Sequence, residues 1–223
     1  MFMKYFAKIS LISALVLSPV LALAGPSGFL ENYALLRPGK FVNEFYVNNQ
    51  AIRDKGYISF VVIDVDASRI KDSWGMESED AAIFLKRELE ESANRFKIGR
   101  FFRFEPGDRD RAQAVLEMAV TEQSTGSPPG RIFAILGWGQ PYLRVEGNIR
   151  DAQTNQILAS FNHFQSTKAI WPFRDLNGGF AGGGNTMLKE IYIATADKIT
   201  EEIGNSFGLI PETLKGNLPF KYT

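Results

Sequence analysis

YLRVEGNIRDAQTNQILASFNHF, running from Tyr142 to Phe164, is the stretch from which the fold is read. From Tyr142 to Arg150 the residues alternate. Leu143, Val145, Gly147 and Ile149 fall on one face, and Tyr142, Arg144, Glu146, Asn148 and Arg150 on the other, the two-residue period of a half-buried strand. The pattern breaks at Asp151–Gln156, where Asp151 can hold an Asx turn and Asn155 tolerates a left-handed backbone. A second apolar run then returns from Ile157 to Phe164, which predicts a hairpin. Upstream, VLEMAVT (Val115 to Thr121) alternates as well, with Leu116, Met118 and Val120 on one face. Ala114 to Phe164 is therefore expected to lay three or four antiparallel strands side by side, with the rest of the chain covering them.

Working outward, YISFVVIDVD (Tyr57 to Asp66) predicts a central strand, apolar on both faces, and Phe41–Val47 and Phe101–Phe104 predict shorter ones. Ile132–Leu136 predicts another, after the turn-rich loop QSTGSPPGR (Gln123 to Arg131). Ser78 to Phe96 predicts a helix, with Ser78 as N-cap, Glu79 and Asp80 in the first turn, and Ala81, Ala82, Leu85, Leu89, Ala93 and Phe96 along one stripe. A second helix is expected from Thr186 to Phe207, ended by Gly208. Gly137–Pro141 and the glycine-rich Ala169–Asn185 are expected to be loops, and Leu209–Thr223 an irregular tail. These elements make one α/β (α+β) domain over 25–223, a mainly antiparallel sheet of about five strands with two helices packed on one face.

Residues 1–24 read as a cleaved secretory signal: Lys4 and Lys8, an apolar run from Ile9 to Leu23, then Ala22-Leu23-Ala24 before Gly25. Next comes an N-terminal arm, SGFLENYALLRPG (Ser27 to Gly39), in which Ser27 caps a short helical turn and Phe29, Leu30, Tyr33 and Leu36 share one side. The 223 residues, 45% hydrophobic, suffice for one sizeable core. The formal net charge of zero and the lack of a dense basic cluster argue against nucleic acid as a partner. With no cysteine there is no lipid attachment point and no disulfide, so packing must supply stability.

Chemistry has few footholds. Cysteine nucleophiles are excluded, a single histidine cannot build a two-histidine metal motif, and no Gly-x-Ser-x-Gly elbow occurs. His163 on the returning strand reads as a satisfied sheet residue, the alternative being a general base that lacks an identified acidic orienter. Asp64 and Asp66 read as a solvated strand end rather than a cation site. Gly178 to Gly184 lacks the phosphate-cradling patterns, so no cofactor is expected. The aromatics offer more: Trp138, Tyr142, Trp171, Phe173 and Phe180, on or beside the two loops, could present rings to a partner protein or a membrane interface.

The chain resembles the bacterial envelope domain-of-unknown-function families 3313 and 4410. The first likeness rests on SGFLENYALLRPG, the second on VTEQSTGSPPGRIFAILGWGQPYLRVEGNIRDAQTNQILASF (Val120 to Phe161), where Gly-x-Gly before a strand, Asp-Ala-x-Thr and a return strand follow in order. The resemblance implies a mixed sheet with two helices and an accessory role in envelope assemblies, and it brings no functional residues. Many members look like lipoproteins, a feature that a chain without cysteine does not share.

The expectation is a non-enzymatic periplasmic protein of a Gram-negative envelope, acting by contact with another envelope protein or with itself. Peripheral membrane contact is a further expected property. The alternative is a carrier of a small apolar or lipidic ligand held between sheet and helices.

Overall fold

A computed structural model of the chain describes residues 26–62, 65–70, 76–104, 111–126, 140–166 and 183–211. Seven strands form one sheet among the described residues: β1 (Arg37–Pro38), β2 (Glu44–Val47), β3 (Phe60–Val62), β4 (Phe102–Arg103), β5 (Ala114–Ser124), β6 (Tyr142–Asp151) and β7 (Ile157–Ser166), in the order β1-β2-β7-β6-β5-β3-β4. Among the described residues three α-helices accompany them: α1 (Asn49–Lys55), α2 (Ser78–Arg95) and α3 (Gly183–Ser206).

The hairpin forms as its residues dictate. Asp151 Oδ1 accepts from the backbone N–H groups of Gln153 (2.9 Å) and Thr154 (2.8 Å), and Asn155 adopts φ 60°. The register sets Gly147 opposite Phe161 and Val145 opposite His163. On β5, Leu116, Met118 and Val120 join the main core with Leu143, Val145 and Ile149. A bulge between Val120 and Glu122 then shifts the register, so that Glu122 faces Arg144 and Gln123 faces Leu143. Without the extra residue Glu122 would point into the core.

The expected count of about five strands is corrected to seven. Phe101–Phe104, expected as a short strand, holds β4, whereas β1 is an addition, a two-residue strand at the sheet margin too short to leave a periodic signal. The sheet is also less antiparallel than expected, since β3 runs parallel to both β4 and β5. Among the described residues of Tyr57–Asp66, Phe60–Val62 is strand, and Asp66 bridges Ala119 in parallel fashion. All three β3 side chains are fully buried, as a strand covered on both faces requires.

The arrangement of two helices on one face is replaced by three helices of different lengths. Helix α1 lies after β2, where Asn48 donates its N–H to Leu158 O and caps the helix by accepting from Ala51 N, while Gly56 ends it at φ 61°. Helices α2 and α3 pack on each other: Ser92 Oγ donates to Asp197 Oδ1 (2.7 Å) and Arg95 pairs with the same oxygen at 2.6 Å. Their apolar stripes, Leu85 and Leu89 from one and Tyr192, Ile199 and Ile203 from the other, belong to the same core as β5 and β6. Each such side chain contributes about 2 kcal/mol through burial. Helix α2 starts from Glu77 without a side-chain cap bond, so the expected capping by Ser78 does not occur. Gly208 (φ 67°) ends α3 as expected, and the turn that follows folds Leu209 and Ile210 back, with their N–H groups on Gly204 O.

Candidate functional site

The sheet has two unlike faces. One carries the apolar core; the other carries Glu117, Arg144, Glu146, Asn148, Ser160 and Asn162, and most of these are buried. Their bonds are mutual: Ser160 Oγ donates to Asn148 Oδ1 (2.7 Å), Asn162 Nδ2 to Glu44 Oε2 (2.8 Å), and Arg150 pairs with Glu117 (3.0 Å).

The N-terminal arm covers this polar face. Tyr33 OH donates to Glu146 Oε2 (2.5 Å), Ser27 Oγ donates to the same oxygen (2.8 Å), and Glu31 pairs with Arg150 (2.7 Å). Leu30 and Leu36 are buried, and Phe29 lies under the Arg69 guanidinium. The short turn is Tyr33–Leu35, capped by Asn32 rather than by Ser27. Ser27 is instead a contact to the sheet, which no helical-spacing argument could reveal.

Beyond the arm, at the open end of the β6–β7 hairpin, Tyr142 packs against Phe164 with ring centroids 5.7 Å apart, and the Arg144 guanidinium lies over Phe164 at 5.6 Å. Arg144 Nε is 3.4 Å from Glu122 Oε1, an ion-pair distance without hydrogen-bond geometry. Tyr142 is thus half-buried in a sheet-end cluster. Trp138, Trp171, Phe173 and Phe180 lie outside the described residues, as do Ile132–Leu136 and Asp64.

His163 is buried in the core face. Its Nδ1 accepts from Asn43 N (3.3 Å), and its Nε2, which must then carry the proton, has no hydrogen-bond partner among the described residues. Burial pushes its pKa down to about 3, with the Lys198 ammonium adding to the effect and Gln165 opposing it. It is therefore neutral and out of reach of solvent. The general-base alternative would need an exposed ring beside a carboxylate, and the structure shows a buried one beside a lysine.

The neighbouring segment Gly39–Asn43 is held by its backbone. Glu202 Oε2 accepts from both Phe41 N (2.5 Å) and Val42 N (3.1 Å), and Asn43 Oδ1 accepts from Phe164 N (2.7 Å). Glu201, one residue along α3, is raised to about 7 by burial and by the charges of Asp197 and Glu202, against the pull of Lys40. Asp66 is tied up locally by Ser68 and Arg69, its carboxyl held below the usual range first by the Ser68 hydroxyl. Among the described residues, no three His, Asp or Glu side chains gather as metal ligands. Between the helices and the sheet, a cleft lined by Val62, Leu89, Leu116, Thr200 and Ile203 has room for about one water molecule.

No protein-family model and no curated protein matches the chain, so the resemblance to families 3313 and 4410 has no counterpart there. Solved structures of similar shape include a PelC dodecamer from Paraburkholderia phytofirmans, at 13% identity over 64% of this chain and 88% of that one, TM-score 0.42. A Xanthomonas campestris protein of the domain-of-unknown-function family 330 shares 9% identity over 67% and 85%, TM-score 0.42. The lipoprotein GNA1162 from Neisseria meningitidis shares 12% over 66% and 98%, TM-score 0.34. Likeness at this level carries no functional information. The expectation of a chain without lipid rests on the absence of cysteine alone and gains no support from these structures. Among the described residues no helix is long and apolar enough to cross a membrane.

Proposed function

We propose that the chain is a bacterial envelope protein, exported with loss of residues 1–24, that acts without catalysis by binding another envelope protein or further copies of itself. One observation carries the reading. In the sheet register Tyr142 lies opposite both Ser124 and Ser166, so the segments holding Trp138 and Trp171 leave the sheet from neighbouring positions at one end. In the sequence Trp138 is four residues before Tyr142 and Trp171 five residues after Ser166. Among the described residues the arm covers the polar face and the cleft between helices and sheet has room for about one water molecule, which supports this end of the sheet as the binding surface.

Affinity purification of the exported protein from gently crosslinked cells, with fractionation, tests this. Recovery of a specific envelope component or of oligomers, abolished by deleting Trp171 to Phe180, is the expected outcome. Recovery of a monomer alone, or of complexes indifferent to the deletion, overturns it.

A further inference from the structure

Helix α3 is fastened differently along its two halves. From Glu202 onward close fits lock it. Glu202 accepts the backbone N–H groups of Phe41 and Val42, and Phe207 sets its ring edge against Phe60 with centroids 5.0 Å apart. Gly204 is approached so closely that a Cβ there would stand 2.6 Å from Ile210 Cγ1 and 3.1 Å from Ile98 Cδ1. In the middle, Asp197 pins the helix to Ser92 and Arg95 of α2.

Ahead of Asp197 the helix meets the sheet through polar groups as well as through Leu188 and Ile191. Tyr192 OH donates to Gln123 Oε1 on β5 (2.8 Å), and Lys198 Nζ donates to Gln165 Oε1 on β7 (2.6 Å). Gln123 and Gln165 both stand opposite Leu143 in the register, so α3 crosses the sheet here from β5 to β7. Thr195, three residues from each anchor, shares their helix face and lies over β6 between them. It is fully buried, and its Oγ1 has no hydrogen-bond partner among the described residues. The same holds for Thr121 Oγ1, in the residue that the β5 bulge leaves unpaired beside Val120. It holds again for His163 Nε2 on β7, opposite Val145, which is Val120's own partner. Buried polar groups are normally paired, and three that are not, gathered around one crossing, weaken this layer: each regains hydrogen bonds when water enters.

We propose that residues 186–196 of α3 are a hinged cover, pivoting at Asp197, that lifts from the sheet by local opening while the rest of the helix stays seated. Lifting wets Thr195, Thr121 and His163 and bares Leu143 and Val145 at the open end of the β6–β7 hairpin. The inference goes beyond the binding role proposed above and holds whether or not that end of the sheet takes a partner.

Amide hydrogen exchange of the purified protein, followed residue by residue by NMR, tests it. Amides of residues 187–195 are expected to exchange about tenfold faster than those of 200–206, and with a weaker dependence on urea, as a local opening exposes less surface than unfolding. Thr195→Val keeps the shape of the side chain and removes the unpaired hydroxyl, so it should slow the first set about tenfold. Thr121→Val is the second variant and should act in the same direction. Ile203→Val loosens the seated half and is expected to speed exchange in 200–206 alone. Equal protection along the helix, first-set rates unmoved by both threonine variants, or an Ile203→Val effect on both sets alike overturns the hinge. Faster exchange in Thr195→Val also overturns it, because a hydroxyl whose removal loosens the helix is one that was bonded.

Discussion

The Phe161 ring lies across the backbone of Gly147, its partner in the β6–β7 register, so closely that a Cβ on Gly147 would stand 2.3 Å from Cζ of the ring. Glycine here is a packing requirement, because its φ is not in the left-handed region and only the absent side chain matters. Gly147→Ala is expected to cost about 2 kcal/mol by forcing the ring off its seat, measured by urea unfolding. Adding Phe161→Leu should recover part of the loss, and a purely additive double variant would count against the mechanism.

Asp151 anchors the hairpin turn to α1 and β3. Burial works against its charged form, but the Lys55 ammonium, the Tyr57 hydroxyl and the Thr154 and Gln153 amides outweigh it and hold the carboxyl well below the usual range. Tyr57 is correspondingly pushed up, by burial first and then by Asp151. A depressed carboxylate contributes stability above its unfolded pKa of about 4 and loses it as pH falls below that. Asp151→Asn should therefore lower Tm at pH 7 and reduce the drop in Tm seen between pH 4 and pH 2.

His163 and Glu201 oppose each other between pH 5 and 6.5. The unfolded chain protonates the histidine in this window while the fold keeps it neutral, so His163 makes stability fall as pH falls below about 6.5. Glu201 keeps its proton in the fold and loses it when unfolded, so it makes stability fall as pH rises from about 4.5 to 7. The groups facing the first are Lys198, Gln165 and Asn43, and those facing the second are Lys40, Asp197 and Glu202. Wild-type Tm is expected to be nearly flat across the window. Glu201→Gln should unmask a decline toward acid approaching about 1.4 kcal/mol per pH unit, and His163→Gln a shallower decline toward neutral, since Glu201 is only half-buried. Parallel profiles in all three proteins would refute the compensation.

Asp197 joins the two long helices by accepting from Ser92 and Arg95. Its loss leaves the buried Ser92 hydroxyl with only the longer bond to Ala196 O (3.4 Å) and takes the 2.6 Å partner from the Arg95 guanidinium, so Asp197→Ala is expected to cost about 2 kcal/mol. Ser92→Ala, which removes one donor and leaves the ion pair, should cost less than half as much in the same chemical denaturation assay.

The hairpin and both long helices were legible because period and turn chemistry agree over many residues there. Asp151, Asn155 and Gly208 each adopt the conformation that their side chain, or its absence, allows. What was hidden depended on tertiary partners. Arg37–Pro38 is a strand only because β2 lies beside it. Asn49–Lys55 is seven residues with one buried side chain, Ile52, too short for a stripe. The polar sheet face was visible as alternation in β6, yet its covering by Ser27 and Tyr33 joins residues 119 and 113 positions apart, which no local pattern encodes. Of the candidate binding residues only Tyr142 falls within the described residues, seated on Phe164.

The order of strands in the sheet also sets a timetable. β2 near the start of the chain has only the two-residue β1 as a local partner and joins the rest of the sheet through β7, so Phe45 must wait for Phe161. β3 likewise has no partner until β4 and β5 exist. A chain emerging N-terminus first cannot close this sheet until roughly three quarters of it has appeared, and α3 must follow to seal the core. High contact order is usually counted as a handicap to folding speed. Under the export proposed above, the same order delays compaction until most of the chain has passed.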